Sequence, residues 1–311
     1  MTISVSTLPN GMRVVTEEMK RVETVSCGVW IGTGARNETA DVNGVAHLLE
    51  HMAFKGTVRR NAQSIVEEIE SVGGHLNAYT SREQTAYYAK ILKENTGLAL
   101  DILADILQHS TFEPQELERE RTVVIQEIGQ AHDTPDDRVF DHFQMAAFPD
   151  QALGRPVLGC IETVGNMSRE TVMGHMRAGY GGDRMVLSAA GNLDHDEIVT
   201  LAERLFDSIP EIGHFEMETG TYVGGAHLED RDLEQVHLLL GFPGISYEND
   251  QFYATSVMSA LLGGGMSSRL FQEVREKRGL VYSIYSYPAF YRDCGLFGIY
   301  AGTGPQDVDA L

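Results

Sequence analysis

The chain has 311 residues, room for about two domains at ~150 residues each. Its 42% hydrophobic and 22% charged residues are ordinary for a globular protein and exclude a disordered, collagen-like or coiled-coil chain. Lysine and arginine total 24 against 45 aspartates and glutamates, a net charge of −21, which disfavours nucleic acid and anionic membrane and favours basic peptides as partners.

No window holds about 18 consecutive apolar residues, so no transmembrane helix is expected. The N-terminal run MTISVSTLPNGMRVV lacks the basic and apolar regions of a secretory signal. Cys27, Cys160 and Cys294 lie far apart, with no Cys-x-x-Cys spacing. They read as buried or half-buried free thiols of a reducing cytoplasm.

Strand signals at Thr2–Leu8 and Met12–Thr16 flank Pro9-Asn10-Gly11, a hairpin turn. A third strand is expected at Thr24–Thr33, then a loop over Gly34–Asn43 and a helix over Gly44–Lys55 that stops at Gly56. A helix at Ala62–Val72 ends at Gly73-Gly74, followed by strands His75–Thr80 and Thr85–Leu92. Helices Glu94–His109 and Pro114–His132, strand Arg184–Ala190 and helix Asp194–Ser208 complete a first half, residues 1–209.

Residues 210–225, rich in glycine, read as a linker. The second half, 226–311, starts with strand Gln235–Phe242 and helix Asp250–Leu262. Helix Ser268–Lys277, strands Val281–Ala289 and Gly295–Ala301, and the first turns of a helix at Pro305–Leu311 follow. The order strand, helix, helix, strand, strand, helix therefore occurs twice, with the second copy short by roughly 100 residues. The expectation is an α+β fold of two repeated halves, each a mostly antiparallel sheet packed with helices.

The strongest chemical signal is His47-Leu48-Leu49-Glu50-His51. On a helix the two histidines and Glu50 share an arc of about 100°, opposite Val45, Leu48, Leu49 and Met52. Two histidines at i and i+4 can hold one Zn²⁺, and a neighbouring carboxylate can act as base. A catalytic zinc needs a third ligand. Glu116, Glu120 and Glu127 fall within about 40° on the helix Pro114–His132, and helix geometry alone does not choose among them. The glycines and serines 263–268 follow a helix and lack Gly-Lys-Ser/Thr, so they are no phosphate loop. Trp30, Tyr87 and Tyr88 read as core, and His132, His142, His175 and His237 show no ligand spacing.

The run HLLEHMAFKGT followed by GGHLNAYTSREQTAYYA resembles the inverted zinc motif of the pitrilysin-type metallopeptidases. Within them the chain is most similar to the bacterial processing-peptidase branch, which includes the mitochondrial processing peptidase β subunit. The resemblance covers nearly the whole chain. It implies His47, His51 and Glu127 as ligands of one Zn²⁺ per chain, Glu50 as general base, and Glu120 as a supporting carboxylate. It also implies that Asn77 and Ala78, on an edge strand, lie against an extended peptide substrate. In REKRGLVY, Arg275 and Tyr282 match a pair that reaches across a peptide chamber to the substrate, the phenol donating to a developing oxyanion.

The expected protein is a cytoplasmic zinc endopeptidase, a homodimer acting on extended and preferentially basic peptides, without nucleic-acid or membrane partners. Its rivals are a non-catalytic structural subunit, which would have lost ligands or base, and one subunit of a heterodimer, which would split the zinc motif from the Arg/Tyr pair. This chain carries both.

Overall fold

The computed structural model describes residues 3–213, 215 and 217–311. Thr2, the expected first strand residue, and positions 214 and 216 of the expected linker lie outside the described residues. The chain forms two compact units that are not consecutive in sequence. The first comprises residues 1–128 and 156–217, the second 129–155 and 218–311.

The first unit opens with the hairpin β1 (Ile3–Thr7) and β2 (Arg13–Glu18), followed by β3 (Thr24–Ile31). Next come α1 (Val45–Ala53), α2 (Ala62–Glu70), β4 (His75–Thr80), β5 (Thr85–Leu92), α3 (Thr96–Gln108) and α4 (Pro114–Asp133). The division between units falls inside α4. The helix α5 (Pro135–Ala147) belongs to the second unit. The chain then returns to the first unit as α6 (Ile161–Gly165), α7 (Arg169–Gly179), β6 (Met185–Gly191) and α8 (His195–Leu205).

These strands form one six-stranded sheet in the order β1-β2-β6-β3-β5-β4. Every pairing is antiparallel except β2 with β6. Alternation along β3 sends Val25, Cys27, Val29 and Ile31 into the core, where Leu48, Leu49 and Met52 of α1 and Leu100 and Leu103 of α3 are also fully buried. Burial pushes the Cys27 thiol up to about 12, so it behaves as an apolar side chain. Among the described residues β4 is an edge strand with only β5 beside it. Its Leu76 and Ala78 pack on the core, whereas Asn77 and Tyr79 take the opposite face.

In the second unit, β7 (Val236–Pro243), α9 (Phe252–Gly263), a π-helical α10 (Phe271–Glu276), β8 (Val281–Phe290) and β9 (Gly295–Thr303) form a three-stranded antiparallel sheet, β7-β9-β8, with its helices. The repeat is visible in the topology. β3-α1-α2-β4-β5 gives the strand order β3-β5-β4, and β7-α9-α10-β8-β9 gives β7-β9-β8. α5 packs on β7, and the Phe140 ring lies 5.6 Å from Tyr287 and 5.7 Å from Tyr300.

Several expectations are corrected. Residues 133–183, for which the sequence indicated no elements, hold three helices, α5 to α7. Pro305–Leu311 forms a single 3₁₀ turn, Pro305–Asp307, and not an α-helix. Tyr87 is core, but Trp30 and Tyr88 are only half-buried, because they stand on the face of the sheet away from α1 and α3, where the Trp30 indole N–H donates to the Tyr79 hydroxyl at 3.3 Å. Cys160 is exposed, at the start of α6. No helix among the described residues is long and apolar enough to cross a membrane.

Candidate metal centre

α1 begins where Gly44 adopts φ +98°, a conformation that favours glycine, and a β-carbon there would meet the Leu158 carbonyl at 2.8 Å. The first turn of this helix is held by Glu38, a buried carboxylate from the preceding loop. Its oxygens accept from the Gly44 and Ala46 backbone N–H groups and from the Asn43 amide, each at 2.8 Å. These are the orphan donors of a helix N-terminus, and a negative charge there also complements the helix dipole.

So anchored, α1 buries Leu48, Leu49 and Met52 and turns His47, Glu50 and His51 the other way, toward α4 and the end of β4. The two imidazole centroids are 4.7 Å apart. Glu127 of α4 completes the group, its Oε2 lying 3.7 Å from His47 Nε2 and 3.6 Å from His51 Nε2. One ligand atom from each of the three residues lies within 4.8 Å of the others. Tetrahedral zinc at about 2.0–2.1 Å from its ligands needs them about 3.3–3.4 Å apart, so these side chains need only small rotations to hold it.

Glu120 fixes the tautomer. Its Oε2 accepts from His51 Nδ1 at 3.0 Å, so that once Nε2 gives up its proton its lone pair lies on the Glu127 side. The other oxygen of Glu120 pairs with Lys55 Nζ at 2.8 Å. A carboxylate–histidine pair of this kind orients a metal ligand and raises its basicity. Glu116, the third glutamate of the α4 stripe, is instead engaged by Arg119.

The charges follow this geometry. Burial, with the nearby His51 charge, holds His47 down at about 4, against the pull of Glu127. Burial also opposes a charge on His51, but Glu120 and Glu127 outweigh it and push His51 up to about 9. Glu120 is buried as well, yet His51 and Lys55 keep it below the usual carboxylate range. Glu127 is lowered by the His51 imidazole facing it at 3.6 Å, with His47 adding to the effect. Glu50 is raised, because burial outweighs the hydrogen bond it accepts from the Thr80 hydroxyl at 2.6 Å.

Asn77 and Ala78 lie on the edge strand β4, which ends at Thr80. The Asn77 side-chain oxygen accepts from the Ala78 N–H at 2.8 Å. Arg275 and Tyr282 belong to the second unit. The Arg275 guanidinium lies 4.6 Å from the Phe271 ring centre and 5.4 Å from that of Tyr282, whose side chain is exposed.

Three residues of the centre escaped sequence reasoning. Thr80 stood inside a strand with no reason to single it out. Lys55 sits one helical turn beyond His51, a spacing that places both on one face. Glu38 gave only the weak signal of an acid shortly before a helix.

The residues of this centre fall within a match to the family model described as insulinase (peptidase family M16), which covers residues 13–160. The model of the peptidase M16 inactive domain covers residues 166–311. The chain is 43% identical over 309 residues to an uncharacterized zinc protease of Rickettsia felis, across 99% of this chain and 75% of that one. It is likewise 43% identical to the uncharacterized zinc protease YmxG of Bacillus subtilis, across 98% and 75%. Two solved structures share the fold, each with a TM-score of 0.91 over 98% of this chain and 75% of the other. They are a protease from Helicobacter pylori at 23% identity and a peptidase M16 inactive domain from Pseudomonas fluorescens at 19%. On both family models and its relatives, the chain belongs to peptidase family M16.

Proposed function

We propose that the chain is a zinc-dependent endopeptidase of the processing-peptidase branch, with one catalytic Zn²⁺ held by His47, His51 and Glu127. The observation that carries this reading is the convergence of those three side chains beside Glu50, whose carboxylate is held on a hydroxyl of the edge strand. When bound, zinc makes water a stronger acid and polarises a peptide carbonyl.

The protein's own residues supply the remaining steps. An extended peptide adds to the open edge of β4, near Asn77 and Ala78, and is read mainly through its backbone. Glu50 takes a proton from the attacking water and then gives it to the departing amine nitrogen. Thr80 keeps that carboxylate aimed. Glu120 holds His51 in the ligating tautomer. The second half contributes substrate contacts through Arg275 and Tyr282, the phenol donating to the developing oxyanion. The zinc-bearing half, 1–209, and the substrate-contacting half, 226–311, thus divide the work in a cytoplasmic homodimer.

Metal analysis joined to cleavage of matched basic, neutral and acidic peptides tests this. Glu50→Gln keeps the zinc and lowers cleavage by ~10² or more. Basic peptides are cut faster at low salt, and the preference shrinks as the Debye length falls from ~10 Å at 0.1 M to ~3 Å at 1 M. Wild-type turnover in Glu50→Gln removes the mechanism, and equal rates on acidic peptides remove the charge selection.

A further inference from the structure

In the second unit, α5 carries His142 in its middle turn. Residues 218–233, without helix or strand, include a His-x-Glu pair, His227 and Glu229. Residues two apart in an extended chain point to the same side, and here both meet α5. Glu229 Oε2 lies 2.6 Å from His142 Nε2 and 3.2 Å from Arg138 Nε. The His142 and His227 rings are stacked with centroids 4.0 Å apart. One ligand atom from each of His142, His227 and Glu229 lies within 4.8 Å of the others.

We propose that His142, His227 and Glu229 form a second divalent-metal site, of the zinc class, that staples residues 227–229 to α5. Two imidazoles and one carboxylate are a donor set suited to Zn²⁺, and three protein ligands with water complete a tetrahedron. The rings are stacked at 20° to one another and Glu229 Oε2 is 2.6 Å from His142 Nε2, so metal binding requires the exposed His227 ring to turn out of the stack and Glu229 to withdraw until the ligands reach the spacing of about 3.3–3.4 Å that zinc requires. His227 and Glu229 are exposed and the backbone that carries them is in no helix or strand, so neither ligand is locked by packing.

The segment is tethered independently of the cluster, by Arg231 Nη1 donating to the His132 carbonyl at 2.7 Å. That tether spares a metal much of the entropy of ordering the segment. Arg138, bonded to Glu229, supports the carboxylate as hydrogen-bond donors commonly do around metal ligands.

The test uses the 311-residue chain. His51→Ala disables the catalytic centre, and the stripped protein is equilibrated with micromolar Co²⁺ or Zn²⁺. It takes up one equivalent of Co²⁺, with the visible absorption of nitrogen and oxygen ligation. Adding His227→Ala or His142→Ala abolishes that uptake. Zinc at a hundred times its dissociation constant slows proteolysis within 218–233 by about a hundredfold in His51→Ala, and not in the double variant. As a check independent of His51→Ala, wild type binds two equivalents of metal and His227→Ala one. No uptake in His51→Ala, or uptake unchanged by His227→Ala, overturns the second site and leaves the proposed peptidase untouched. Loss of the Glu50-dependent cleavage with retained His227-dependent uptake does the reverse.

Discussion

Helices α1 and α9 occupy the same place in the repeated order, between the first strand and the following helix, and they solve different problems. α1 buries its leucines and methionine and spends its other face on His47, Glu50 and His51. α9 carries no ligand residue. It meets β8 through small residues: Ser259 Oγ lies 3.2 Å from Ser286 Oγ, and a β-carbon on Gly263 would come 2.3 Å from the Ser286 backbone nitrogen. Its Tyr253, Val257 and Leu261, at four-residue intervals, are exposed. Topology is therefore shared between the halves and chemistry is not. A repeat read from element order identifies a scaffold, whereas the metal-binding residues must be found side chain by side chain.

The sharpest way to break the comparison is to remove what only α1 has. His51→Ala takes away one of the three proposed ligands, so on that reading bound zinc falls by about one equivalent and peptide cleavage drops to background; metal analysis and a peptidase assay measure both. Full catalytic occupancy in that variant would reduce α1 to another α9. Glu120→Gln is milder. It keeps the shape of the supporting side chain but weakens its hold on His51, and zinc affinity falls by about 10–100-fold in a competition titration with a chelator.

A change confined to the other helix should leave the metal alone. Gly263→Ala forces α9 away from β8 and destabilises the second unit by about 1–3 kcal/mol in denaturant unfolding, with catalytic zinc content unchanged. Loss of that zinc would show that the two halves are not separable in this way.

The smallest effect concerns pH. His175 of α7 is buried, and burial holds it down at about 4. The unfolded chain binds that proton more readily, so the stability of the neutral histidine is complete above about pH 6.5 and is lost as pH falls toward 4. His175→Phe removes this residue's share of that pH dependence, leaving the share of His47, which is held down in the same range. The change is read as a Tm difference between pH 7 and pH 5.

The sequence displayed α1 clearly because its signal is local. Two histidines and a glutamate within five residues define a face before any tertiary contact is known. The α4 glutamates were visible as a stripe, but helix geometry could not separate Glu120 and Glu127 from Glu116, since only contacts with α1 distinguish them. Trp30 and Tyr88 were misplaced for a related reason: alternation identifies two faces of a strand without saying which one helices cover. α5 gave little signal because its partners, β7, Tyr287 and Tyr300, come from the far end of the chain. The same distance hid His142, whose neighbours His227 and Glu229 lie in another segment of the sequence. Glu38 was illegible because it acts on backbone N–H groups, which carry no sequence signature.

The position of β6 has a consequence for how the protein is made. This strand, residues 185–191, lies between β2 and β3, pairing Arg13 with Val186 and Val25 with Gly191. Until it emerges from the ribosome, β2 and β3 each expose an unpaired edge, although both strands are made more than 150 residues earlier. The intervening chain also includes residues 129–155, which belong to the other unit. Closing the sheet thus waits on contacts of very long sequence separation, the kind that make folding slow. Open, partly apolar edges are also the templates for wrong pairing between chains. Yield during synthesis is therefore governed by how long those edges stay open, and a chaperone that shields them would raise it without altering the stability of the finished fold.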